Sequence, residues 1–147
     1  MGQQQLLLVI LVTIIVGIAT VVAINTFGSA ADSANLDAVR QDVATIASSA
    51  QGYFMKPEML GGGGQDFGGL TFNSMAFAAD SISSDGLTAI NANGRYVMSG
   101  ATGTATSFTV TAHPASRIDG AVTLTSDADN TLAATISDSN VEWTDNN

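Results

Sequence analysis

The sequence has no cysteine, two prolines, one histidine and four basic residues set against 13 acidic ones. Without cysteine there is no disulfide framework, no thiolate metal site and no lipid-modified Cys, and the redox compartment stays open. A net charge of −9 with so few cations excludes a nucleic-acid footprint, which needs clustered Lys and Arg to displace counterions. The acidic excess keeps an exposed surface soluble and would suit a saline environment. Its distribution is uneven: no Asp or Glu precedes Asp32, and no Lys or Arg precedes Arg40.

Catalytic signatures are missing as well. His113 is the sole histidine, stands just before Pro114, and has no cysteine or second histidine with which to share a metal, so it reads as a turn histidine. No G-x-S-x-G elbow is present, and the glycine run Gly61 to Gly69 lacks the GxxxxGK[ST] pattern that cradles phosphate. Asp127, Asp129 and Asn130 offer hard oxygens that suit calcium, but without the Gly and distal Glu of an EF-hand loop they read as a solvated turn. Nothing in the chain suggests an enzyme or calls for a cofactor.

What the chain does have is an opening apolar run. From Leu6 to Ile24 there is no charge, and only Thr13, Gly17 and Thr20 interrupt the aliphatic and alanine residues. As a helix this run is about 28 Å long, close to the thickness of a bilayer hydrocarbon core. A cleaved secretory leader, with Ser29-Ala30-Ala31 as its cut, would want a basic n-region and a shorter core. A plain membrane anchor for a surface domain fits the length. Neither accounts for the pattern that follows.

Leu36, Val39, Val43, Ile46, Ala50 and Tyr53 recur at gaps of three and four, which places them on one helical stripe. Asp37, Arg40, Gln41, Asp42, Thr45 and Ser49 take the other faces, so this segment is amphipathic. No proline occurs before Pro57, and the weak helix formers at the junction are only Asn25, Thr26, Gly28 and Ser29. The spacing predicts a continuous or nearly continuous helix from about Gln3 to Phe54, roughly 78 Å long, apolar all round in its first half and one-sided in its second.

That layout resembles a type IV pilin or the similar pseudopilins: a very short leader ending in Gly, a hydrophobic helix, an amphipathic continuation and a small β-rich head. The resemblance implies processing by prepilin peptidase after Gly2, with Gln3 as the mature and methylated N-terminus. Counting from Gln3, the fifth residue is Leu7, where the family usually carries Glu, and the mid-helix proline common in the family is missing. The amide oxygens of Gln3, Gln4 and Gln5 can accept hydrogen bonds from a neighbour's terminal amine in place of that carboxylate. Leu7, Ile10, Ile14, Gly17, Ile18 and Val21 are the expected filament-core packing residues. Gly17 and Ala19 would allow close approach of another helix, although the small-xxx-small pattern is only partly matched.

The remainder is expected to form the head. Lys56-Pro57-Glu58 ends the helix, and Gly61 to Gly69 reads as a flexible connector. Leu70 to Ala79 has no clear period and reads as a helical turn or short strand. Beyond it the period becomes two: Tyr96 and Met98, then Phe108, Val110 and Ala112, then Val122 and Leu124, then Leu132, Ala134 and Ile136. Asn93-Gly94, GATGT, Asp119-Gly120 and DADN at 127–130 supply the reversals. A meander of four strands, or five with Leu87–Ile90, follows, with its apolar face closing on the stripe Leu36 to Tyr53. FTVTAHP followed by GAVTLTSDADNT is also similar to the pilin and pseudopilin head, although no cysteine pair bounds a receptor loop here.

The expected fold class is therefore α+β, a long helix packed on a small antiparallel sheet. Its expected parts are a leader 1–2, a membrane or filament-core helix 3–28, an amphipathic helix 29–56, a Gly-rich connector 57–86 and a sheet 87–147. The resemblance implies a structural subunit of an extracellular pilus-like filament, held in the cytoplasmic membrane before assembly and partnered by copies of itself, the prepilin peptidase and an assembly machinery. A pseudopilin of a secretion system and a membrane-tethered binding domain that never polymerises are the alternatives. Aromatics are few, with Tyr53-Phe54 the one adjacent pair, which disfavours conduction through stacked rings.

Overall fold

The computed structural model describes residues 2–128 and 130–145. It is an α+β arrangement of one long helix, α1 (Gly2–Met55), and a six-stranded antiparallel sheet in sequential order. The strands are β1 (Ser81–Ile82), β2 (Thr88–Asn91), β3 (Gly94–Ser99), β4 (Ser107–Pro114), β5 (Leu132–Ser137) and β6 (Val141–Asp145). The chain divides into two compact units, Met1–Ala34 and Asn35–Asn147.

The first unit is helix alone. Its residues favour that state because Leu, Ile, Val and Ala close successive turns without a proline, while Gly17 and Gly28 are tolerated inside α1. The helix runs through Asn25–Ser29 without a break.

In the second unit the rest of α1 supplies half of a core. Val39, Val43, Ile46, Ala47 and Ala50 are buried, with Leu36, Tyr53 and Phe54 partly buried beside them. The other half comes from alternate sheet positions, Tyr96 and Met98 of β3, Phe108, Val110 and Ala112 of β4, and Leu132, Ala134 and Ile136 of β5. Register explains why these meet: Tyr96 lies opposite Ala112 and Ala112 opposite Leu132, while Met98, Val110 and Ala134 form the next row. Because strand side chains alternate, these rows all point to one face.

Three features depart from the sequence reading. Val122 to Thr125 is not a strand. Ser126 Oγ accepts from Thr123 N at 2.8 Å and donates to the Ala121 carbonyl at 3.1 Å, local bonds that compete with a ladder. No slot is open there either, since β4 already pairs with β3 and β5. Conversely, β1 and β6 join the sheet at its two edges. β1 lies inside the stretch 57–86 expected to be a connector, and too short a run of alternation announced it.

The third departure is that the glycine run is a packed cap. The N–H groups of Gly63 and Gln65 donate to the Tyr53 and Phe54 carbonyls at 2.9 and 2.8 Å, satisfying acceptors that a helix end leaves open. A Cβ on Gly68 would overlap the Gly103 carbonyl, so glycine is needed there for close approach of two backbones. Phe67, Leu70, Phe72 and Met75 then enter the core. Rings scattered in sequence come together as a result: Phe67 lies 4.8 Å from Phe54 and 5.0 Å from Phe108, and Phe77 lies 5.6 Å from Phe72 and 5.3 Å from Tyr96, centroid to centroid.

Candidate assembly surface

The N-terminal unit carries no ionisable side chain before Asp32, and its residues from 2 to 31 are all exposed. Its large apolar side chains are exposed on every side of the helix, from 48% at Ile10 to 75% at Phe27. Leu7, Ile10, Ile14, Ile18 and Val21 all belong to this surface, and a Cβ added at Gly17 would meet nothing. Gly2 and Gln3 are exposed in the first helical turn. The helix is long and apolar enough to cross a membrane.

Its threonine hydroxyls are satisfied within the helix. Thr13, Thr20 and Thr26 donate their hydroxyls to the carbonyls of Val9, Val16 and Val22 at 2.6, 2.8 and 2.9 Å. Such bonds to the preceding turn leave no hydroxyl proton that needs water. A helix apolar all round, as this one is from Leu6 to Ile24, is stable only when lipid or protein covers it.

In the head, polar anchors that periodicity did not indicate fix α1 to the sheet. Asp42 Oδ2 accepts from Tyr96 Oη at 2.6 Å, Asn93 Nδ2 at 2.8 Å and Asn91 Nδ2 at 2.9 Å. Burial, reinforced by the adjacent Asp42 carboxylate, raises the Tyr96 phenol well above its ordinary range. Asn35 donates to the Asn93 carbonyl at 2.9 Å and accepts from Ser116 N at 3.1 Å, and Gln51 donates to the Ser137 carbonyl at 3.2 Å. The stripe puts Asp42 only on one of the other faces of the helix, because spacing alone cannot say that a carboxylate has three donors waiting across the interface.

His113, just before Pro114, stands at the end of β4, buried and directly across from Arg95 of β3. Both reach the loop that joins β4 to β5. Arg95 donates from its guanidinium to the Ser126 carbonyl at 2.6 Å, and His113 Nδ1 lies 2.9 Å from Asp127 Oδ1. Burial and the Arg95 charge lower the imidazole's pKa, partly offset by Asp127. Asp127 also accepts from Ala128 N at 3.0 Å. Asp129, the second carboxylate considered for calcium, lies outside the described residues. Among the described residues no three His, Cys, Asp or Glu side chains gather as a metal site.

Comparison with protein-family models, with curated proteins and with solved structures found no match.

Proposed function

We propose that this chain is the structural subunit of an extracellular, type IV pilus-like filament. The observation that carries the reading is the uncharged helix surface of residues 2–31, exposed on all sides, on a helix that continues into a folded head. A cleaved leader has no reason to continue helically into the core stripe of the mature head. A tether alone has no use for that continuity.

In this reading the chain is processed after Gly2, waits in the cytoplasmic membrane through its apolar run, and is then extracted and reburied against identical runs. At about 25 cal/mol per Å² of apolar surface, releasing so many exposed Leu, Ile and Val side chains into water would cost tens of kcal/mol. Extraction must therefore be coupled directly to burial among copies. Prepilin peptidase and an assembly machinery are the implied partners, and the copies form a helical homopolymer. The head's charge gives it no affinity for nucleic acid.

Shearing cells without detergent and imaging the released material tests the proposal. Fibres containing this chain with Gln3 as N-terminus are expected. A chain recovered only in membranes, never in fibres, refutes the filament and leaves the tethered domain. Val16→Asp places a charge in the run, and its fibre yield should fall at least tenfold.

A further inference from the structure

Outside residues 2–31, the large apolar side chains left exposed among the described residues are Met55, Met59, Leu60 and Trp143. Three of these four lie within six residues, on the last turn of α1 and the 3-10 turn Glu58–Leu60 that follows. Met59 is 98% exposed. An apolar cluster held open in this way marks a contact surface, and methionine adapts readily to the shape of a partner.

The cluster is continuous with an unusual stretch of helix. The outward face of α1 begins with Asp37, Arg40 and Gln41, then becomes Ala44, Ser48 and Gly52 before reaching Met55. From Val43 to Met55 the helix carries no charge at all, in a protein of net charge −9. The sheet occupies the opposite side through Val43, Ile46, Ala47 and Ala50, which leaves this face unpartnered for about 16 Å. The adjoining Lys56 makes no ion pair among the described residues.

We infer that this face, Ala44 through Met55 with Met59 and Leu60, receives the apolar run of a second copy of the chain. The chemistry selects that occupant. The run is the other large uncharged surface of the protein, and it needs cover around its whole circumference. The small side chains at Ala44, Ser48 and Gly52 let a second helix approach closely, and no charge lies between Val43 and Met55, while the exposed Lys56 and Glu58 stand at the end of the contact. Binding of two such head faces to each other would leave the runs exposed and satisfies only one of the two surfaces. The inference rests on the filament reading and assigns the second contact that this reading needs, between the run of one subunit and the head of another.

The absence of native cysteine makes the test direct. Two single variants of the full chain, Ser48→Cys and Val16→Cys, are co-expressed, and released fibres are oxidised. A disulfide-linked Ser48–Val16 heterodimer is expected. Ser48→Arg in an otherwise native chain should lower fibre yield at least tenfold while leaving the urea midpoint of the head unchanged, since position 48 is exposed. Fibres that cross-link run to run through Ile14→Cys but never through position 48 overturn this inference and leave the filament standing. Dimers linked only between two copies of Ser48→Cys also overturn it. A chain that never associates overturns both.

Discussion

Replacing Asp42 with alanine removes a single side chain that holds three donors, and its cost follows from what those donors lose. Tyr96 Oη, 2.6 Å from Asp42 Oδ2, sits on a fully buried residue, so its hydroxyl is stranded; an orphaned buried donor costs about 1–3 kcal/mol. Asn91 and Asn93 are half-buried and regain water, which reduces the loss of their charge-assisted bonds to about 1 kcal/mol each. The sum is about 3–5 kcal/mol, a large part of the ~5–15 kcal/mol that holds a domain of this size. Urea unfolding of the full chain in detergent micelles, followed through Trp143, the one tryptophan, reads it as a lowered midpoint at constant slope. Tyr96→Phe alone should cost less, and the double variant should cost less than the two single losses added, with coupling above about 1 kcal/mol. A loss under about 0.5 kcal/mol for Asp42→Ala, or additive behaviour in the cycle, would show that the carboxylate does not hold the sheet to the helix.

Two further outcomes follow from the head. Because burial and Arg95 depress the His113 pKa, the unfolded chain binds the proton more readily; stability is complete above the ordinary value of 6.5 and is lost as pH falls through that value toward the lower folded one. Calorimetry between pH 7.5 and 5 should record this fall in melting temperature, and His113→Asn should flatten it; an unchanged slope would clear His113 of the role. A Cβ at Gly94 would run into the His113 carbonyl across β3 and β4, so Gly94→Ala should lower stability by about 1–3 kcal/mol in the same urea assay, and a neutral result would contradict the close approach.

The parts of this fold that sequence discloses are those governed by period. The three-and-four spacing from Leu36 to Tyr53 marks the residues that meet the sheet, and the alternation in Tyr96–Met98, Phe108–Ala112 and Leu132–Ile136 marks its inner face. Period is blind where local bonds compete, and so VTLT at 122–125 alternates like a strand while Ser126 ties it into a turn. It is also blind to glycine's two uses. Gly61 to Gly69 can mean freedom or tight packing, and only the carbonyls left open at Tyr53 and Phe54 decide between them. Asp42 is the clearest gap, because its partners lie some fifty residues away. The apolar run is the reverse case: its composition alone announces a surface seeking cover.

The inward-turned hydroxyls of Thr13, Thr20 and Thr26 bear on reversibility. Since each closes its bond on its own helix, exchanging fatty-acyl neighbours for protein ones would neither make nor break a hydrogen bond of these three threonines. Under the proposed function, entry into the polymer and return to the bilayer would then differ, at these threonines, only in how well apolar shapes fit. In the proposed filament, a subunit returned to lipid would keep the same three threonine bonds it had among its copies.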